Sequence, residues 1–413
     1  MLDNGKAEGV RKIKRFEKYC LKDIATVSQG FTFSRLYQGK KNLKWNYFKV
    51  ADIGLNPNSK YLTNAINTIS DITMEEIGVL PFPKGSIVFP RVGAALFNNN
   101  KKILAQDGMV DDNVLVLTVT DTSKCWHEFL YYYLQEIPLA KWCNSGLVPV
   151  INTKTVLSQM VFLPPLPEQQ KIATILSTQD KVIELKEKLL VQKQQQKKYL
   201  MQQLLTGKKR LPGFGGEWKT IHLNEISCRI ETKNTVGNNN VLTISAQYGL
   251  INQTEFFDKV IASDNKSNYY LLSKDEFAYN RSYSKGYPYG TIKRLKRYVQ
   301  GVVSPLYICF AVNKKLASLD FLEQYFEASI INREIQSIVQ EGARNHGMLN
   351  VAVDDFFRIK ITMPEIEEQK EIAKILSTAD HEIDLLQKSI EAEKQKKKAL
   401  MQLLLTGKVR VKI

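Results

Sequence analysis

Two stretches of the chain place apolar side chains at alternating spacings of three and four, the period of an α-helix with one buried seam. In the first these are Ile172, Leu176, Ile183, Leu190, Leu200 and Leu204; in the second, Ile372, Leu376, Ala379, Ile383, Leu386, Ile390, Leu400 and Leu404. Pro164 and Pro364 precede the two stretches, and Gly207 and Gly407 stand where a left-handed C-terminal cap would stop a helix. The pattern predicts two helices of about 40 residues, each roughly 60 Å long. Each turns polar in its third quarter, at VQKQQQKK (191–198) and EAEKQKKK (391–398), as suits exposed rods paired along a seam rather than buried bundle members. Elsewhere short apolar runs predict strands: SIVFPRV (86–92), NVLVLTVT (113–120), VLTISA (241–246) and LYICFAV (306–312), separated by Asn, Gly and Pro turns. FLEQYFEASIINREIQSIV (321–339) predicts a helix among them.

The long helices are copies of one another. Residues 166–211 recur as 366–411 at an offset of 200 without a gap, with 24 identities in 46 positions. Glu168/Glu368, Gln169/Gln369, the ILST blocks (175–178, 375–378) and the LLTGK blocks (204–208, 404–408) all match. Fainter similarity precedes each helix: Leu21 and Ile24 match Leu223 and Ile226, and SGLVPVINTK (145–154) resembles HGMLNVAVDD (346–355). The chain therefore divides into a globule (1–163), a long helix (164–211), a second globule (212–363) and a second long helix (364–413). The fold class is α+β, with two mixed α/β globules and two long helices.

This layout, with these residues, resembles the specificity subunit of type I restriction-modification systems over nearly the whole chain. The carrying motifs are PPLPEQQKIATILSTQD with KYLMQQLLTGK, PEIEEQKEIAKILSTAD with KALMQLLLTGK, and LPGFGGEWKTIHLNEI at the entry to the second globule. In the globules KGSIVFPRVG (84–93) and DEFAYNRSYSKGYPYG (275–290) are similar to the strand-and-loop element of target recognition domains. PEIE at 364–367 departs from the PPLP of the first copy, but its acidic residues suit a helix N-terminus. The resemblance implies two target recognition domains, each binding half of a bipartite site on double-stranded DNA, on an antiparallel coiled coil with pseudo-two-fold repeat symmetry. It also implies partners: methyltransferase (modification) subunits, two of them, and restriction/translocase subunits.

Composition agrees with a polyanionic partner. The 413 residues carry 58 Lys and Arg against 42 Asp and Glu, a net +16. The four segments hold +6, +6, +3 and +1 in order, so the repeat is unequal in charge, and Glu365, Glu367, Glu368, Glu371 and Glu382 are expected to face lysines of the first helix or of a partner. Cys20, Cys125, Cys143, Cys228 and Cys309 form no CxxC pair, and the charged N-terminus shows no export signal; a reduced, cytoplasmic setting is expected, with no membrane span.

Catalytic chemistry is not visible. NPNS (56–59) lacks the aromatic of a base-binding methyltransferase motif, and PEIEEQK (364–370) mimics a nuclease pattern without a strand to align its carboxylates. TGKK (206–209) lacks the spacing of a phosphate loop, and Cys125, His127 and Cys143 make a poor metal set. No cofactor, metal or catalysis by this chain itself is expected.

Candidate DNA contacts lie in loops where cations, amides and tyrosines interleave, since arginine and lysine seek phosphates or guanine and amides suit adenine. The richest is 279–298, with Arg281, Tyr283, Lys285, Tyr287, Lys293, Arg294 and Arg297. The matching stretch of the first globule holds Arg91, Asn98, Asn99, Asn100, Lys101 and Lys102; Arg35, Lys40, Lys41 and Lys44 form a third set, and Arg344 with Asn345 a fourth. For each, a solvated loop is the plain alternative. For the whole chain, the alternatives are a coiled-coil interaction scaffold and the recognition part of a fused restriction-methyltransferase.

Overall fold

The structure, a computed structural model, describes residues 16–32, 34–55, 59–144, 146, 148–245, 248–256, 266–283, 286–339 and 347–413. The two long helices run Leu166–Leu204 and Ile366–Leu404, 39 residues each. The chain forms two compact units. One holds everything up to Lys188 together with Lys388–Ile413; the other is Leu189–Gln387. Each unit thus combines one globule with the first half of one long helix and the last part of the other.

In the first unit a sheet runs in the order Ala25–Gln29, Val114–Val119, Ile87–Pro90, Lys102–Leu104, Tyr61–Leu62, antiparallel except for the last pair. In the second unit the main sheet runs Ser227–Arg229, Ile308–Val312, Phe277–Asn280, Thr291–Arg294, all antiparallel. The four shared strands come in the same order and the same relative chain positions, so the globules repeat each other in topology where their sequences barely match. The strands expected from SIVFPRV, NVLVLTVT, VLTISA and LYICFAV form at Ile87–Pro90, Val114–Val119, Leu242–Ser245 and Ile308–Val312, within those apolar runs. FLEQYFEASIINREIQSIV does not form one helix: it breaks at Ser329, whose φ of 58° leaves Leu319–Glu327 and Asn332–Ile338 as separate pieces.

A two-stranded antiparallel ribbon leads into each long helix, Glu17–Cys20 with Met160–Leu163 and Lys219–His222 with Lys360–Met363. Beyond it the helix starts are buried. Ile172 and Leu176 join Leu21, Phe89, Phe129, Tyr132 and Trp142 in the core of the first unit, which also receives Met401, Leu404 and Leu405. Ile372 and Leu376 join Phe277, Phe310, Phe321 and Phe356 in the second, with Met201, Leu204 and Leu205. The ends of the predicted seam therefore also serve as globule core. Between them Ile183 and Ile390 are buried, Ile383, Leu200 and Leu400 are half-buried, and charged pairs add to the helix pairing.

That pairing is antiparallel in each unit. In the first, Lys186 meets Glu393 at 2.8 Å and Lys394 meets Glu187 at 2.7 Å. In the second, Lys193 meets Glu382 at 2.7 Å, as the charge inequality suggested. Glu367 and Glu371 pair instead with Lys370 and Lys374 of their own helix.

Both helices end on the expected cap. Gly207 and Gly407 have φ of 68° and 69°, and Lys209 N and Val409 N reach back to the carbonyls of Gln203 and Leu403. A β-carbon on either glycine would also press on an aromatic ring, Trp218 at 3.3 Å or Phe16 at 3.1 Å. The turn then delivers an arginine to the N-terminus of the other helix. Arg210 makes two hydrogen bonds to Glu368, and Arg410 two to Glu168. This accounts for the acidic residue shared by the two helix starts.

Candidate nucleic-acid interface

Each main sheet puts one loop beyond the end of its central hairpin, and the same backbone device holds it in both units. In the first, Ile151 N donates to Arg91 O at 2.9 Å and Gly93 N to Pro149 O at 3.0 Å. In the second, Leu349 N donates to Arg281 O at 2.7 Å and Tyr283 N to Gly347 O at 2.9 Å. The hairpin loop is therefore clipped to the late segment just before the helix-entry ribbon. The faint similarity between 145–154 and 346–355 marks this clip.

In the first unit the loop continues as a tight helical turn, Ala94–Asn98, anchored by fully buried Leu96. Asn99 is left-handed, φ 53°, and its amide is engaged at both ends: Oδ1 accepts from Lys101 Nζ at 2.6 Å and Leu139 N at 2.9 Å, and Nδ2 donates to Gln135 O. Lys101 points inward, 2% exposed, donating also to Ile137 O and lying against the Trp142 ring. Burial pushes its ammonium down to about 7 and that of Lys102, which donates to Ser59 O, to about 8. The expectation of phosphate-seeking Lys101 and Lys102 is corrected: both are interior cations that fix the loop, and Asn99 belongs to the same scaffold. What the loop presents is Asn98 and Phe97, the latter 67% exposed, with Asn100 and Arg91 half-buried. Phe97 was not singled out from the sequence; it stands beside a buried leucine in an apolar run, where nothing marks it as outward.

The second unit redistributes its basic stretch in the same way. Arg281 gives Nε and Nη2 to Leu306 O and Nη1 to Val351 O, bracing the clip rather than facing outward. Lys293 pairs with Glu327, which also accepts from Tyr287 Oη at 2.8 Å. Arg294, 9% exposed in its side chain, sits among Asp320, Glu323 and Asp275. Arg281, Tyr287, Lys293 and Arg294 are corrected from DNA contacts to internal partners: the carbonyls of Leu306 and Val351 and the carboxylates of Asp320, Glu323 and Glu327 come from other elements, invisible in the local pattern. Exposed groups remain at Tyr283, 63% exposed, and at Lys296 and Arg297, whose pairs with Glu323 and Glu255 lie open to solvent. Lys296 and Arg297 border a cleft of about 430 Å³. Lys285, Arg344 and Asn345 lie outside the described residues.

The third set is at the surface. Arg35, Lys40, Lys41 and Lys44 are all exposed, Lys44 pairing with Asp71 at 2.8 Å and Lys40 lying over the Tyr37 ring. Among the described residues no three His, Cys, Asp or Glu side chains gather as a metal site. Cys125 is instead part of the first core, its thiol pushed up to about 12 by burial. No helix among them is long and apolar enough to cross a membrane.

A family model described as "Type I restriction modification DNA specificity domain" matches residues 13–195 and again 216–394. Among curated relatives, the type I restriction enzyme MjaVIII specificity subunit of Methanocaldococcus jannaschii is 25% identical over 323 residues, covering 69% of this chain and 70% of that one. The putative MjaX specificity subunit of the same organism is 25% identical over 430 aligned residues, covering 95% and 93%. Among solved structures, the type I restriction-modification S subunit from M. genitalium superposes with a TM-score of 0.58 at 13% identity, over 96% of this chain and 98% of that one. A chain from a study of complex assembly and conformational transition of the type I R-M system gives 0.55 at 12% identity, over 96% and 98%.

Proposed function

The chain belongs to the family of the type I restriction modification DNA specificity domain, which it carries in two copies, and from that premise we propose that it reads a bipartite site on double-stranded DNA, one half-site to each unit. As a specificity subunit it recognises DNA sequence in association with DNA and the other subunits of its complex. The finer reading is that two methyltransferase subunits and the restriction/translocase subunits act at the site it selects, in the cytoplasm, while the chain itself performs no catalysis. The observation that carries the bipartite reading is the repeated clip, Ile151 to Arg91 and Leu349 to Arg281, which ties the end of the hairpin strand to the late segment at the same place in each unit. Asn98 with Phe97 in one unit, and Tyr283, Lys296 and Arg297 in the other, supply base-edge, stacking and phosphate chemistry; Arg35, Lys40, Lys41 and Lys44 supply phosphate contacts to the first. Family membership does not favour the scaffold or fused-enzyme alternatives. Methylome sequencing of a host carrying the chain and its partner subunits tests the reading. A motif in two parts with an unspecified gap supports it, and a contiguous motif sinks it.

A further inference from the structure

Tyr132 and Gln324 occupy the same place in their units, each the sixth residue of a nine-residue helix that follows the main sheet, His127–Gln135 and Leu319–Glu327. Both side chains are buried, and both reach an aspartate at the same repeat position of a long helix. Tyr132 Oη donates to Asp180 Oδ2 at 2.6 Å; Gln324 Nε2 donates to Asp380 Oδ2 at 2.7 Å. The other oxygen of each aspartate takes a lysine from the opposing helix segment, Lys397 at 2.5 Å and Lys197 at 2.5 Å. One carboxylate therefore ties three elements together, the globule and both helix segments of its unit.

The position matters mechanically. The Glu168–Arg410 pair and the core residues Ile172, Leu176, Met401 and Leu404 fasten the globule near the helix ends, and packing of this kind is less directional than a charged hydrogen bond. Asp180 lies twelve residues beyond Glu168, about 18 Å along the axis at the rise of an α-helix. A second directional contact at that distance fixes the angle, and charge-assisted hydrogen bonds are the more directional kind. We infer that Asp180 and Asp380 are matched positioning residues that set the angle of each globule on its own helix segments and, through it, the separation between half-sites that the protein accepts. The inference rests on the bipartite reading above.

The two junctions differ in their contacts. At the first, Lys60 and Lys397 lie 5.2 and 5.8 Å from the centre of the Tyr132 ring, and Lys60 also donates to Ser177 Oγ at 3.0 Å. At the second, Gln324 Oε1 is buried with no hydrogen-bond partner among the described residues, so a single amide carries the link. Asp180 therefore holds its globule more firmly than Asp380 does.

The test uses the complete complex and three duplexes carrying its methylated motif, with the native gap and with gaps one base pair longer and shorter. Wild type prefers the native gap. In Asp180→Asn, which keeps the shape and removes the charge, the preference falls about tenfold, the scale of one charge-assisted contact, and it falls less in Asp380→Asn. Tyr132→Phe, which removes only a hydroxyl, reproduces the direction of the effect should the aspartate variant fail to fold. Glu371→Gln, in an exposed pair with Lys374 on one helix, leaves the preference at its wild-type value. Equal weakening at all three gaps, the mark of a merely structural residue, or an unchanged preference in Asp180→Asn and Tyr132→Phe, overturns the inference. If wild type binds the native-gap duplex no better than unrelated DNA, the bipartite reading itself falls, and the inference with it.

Discussion

Arg410 closes a two-pronged hydrogen-bonded pair on Glu168 across 242 residues of chain, and Arg210 repeats it on Glu368 across 158. Each acid begins one long helix and each arginine follows the other. The first unit is therefore not finished until the segment Lys388–Ile413 joins it. Cation–π contacts reinforce both ends, Arg410 with Phe16 at 5.2 Å and Arg210 with Trp218 at 6.0 Å.

Removing that arginine has a local cost. Glu168 is buried, and a buried carboxylate stripped of its partner destabilises by about 3 kcal/mol, at the lower end of the usual range because the arginine is itself partly exposed. Arg410→Ala should accelerate amide exchange in Glu17–Cys20 and Met160–Leu163 while Lys219–His222 keeps its protection. Equal loss in both ribbons would refute the assignment.

Lys101 predicts a dependence on pH. Its ammonium is buried, and the folded value is pushed down to about 7 from an unfolded value near 10.5. Between those two values the unfolded chain binds the extra proton, so stability rises with pH across that window and the cost of burying the charge is fully felt below about 7. Lys102, pushed down to about 8, adds to the same slope. Urea midpoints measured from pH 7 to 9.5 should climb in wild type and climb less in Lys101→Met. Parallel curves would show that Lys101 is not the source.

The second unit separates internal cations from presented ones. Lys296→Ala with Arg297→Ala should flatten the dependence of DNA affinity on salt by about two units, one per lost phosphate contact. Arg294→Ala should leave that slope alone and lower the stability of the second unit, because it takes the cation from Asp320 and one of two cations each from Glu323, which keeps Lys296, and Asp275, which keeps Lys314. A reduced slope in Arg294→Ala, with none in the double variant, would reverse the roles.

The repeat made the long helices and their caps legible, because each rests on local spacing or on exact recurrence; the antiparallel arrangement came from the resemblance, and of the acids expected to face lysines of the first helix Glu382 does so while Glu367 and Glu371 turn to their own helix. Asp180 and Asp380 were in view as identities of that repeat, yet their partners, Tyr132 and Gln324, differ in type and come from the globules, whose sequences barely match each other. Within the loops expected to read DNA, the sequence did not separate outward side chains from inward ones. A run such as NNNKK carries the same letters whether its lysines meet solvent or Trp142, and only the strand pairing Ile87 with Ile103 decides which way Lys101 and Lys102 turn. Likewise Arg281 could not be told from a surface arginine until the late segment at Leu349 and Val351 closed over it.

The central claim, that each unit reads one half-site on its own, is tested most directly by altering one loop and sequencing the methylome. Phe97→Ala with Asn98→Ala changes two exposed side chains of the first unit and leaves Leu96, Asn99 and Lys101 to hold the backbone. The account predicts that methylation becomes permissive at positions within one part of the motif while the other part and the gap stay fixed. Changes in both parts, or an unaltered motif, would contradict it.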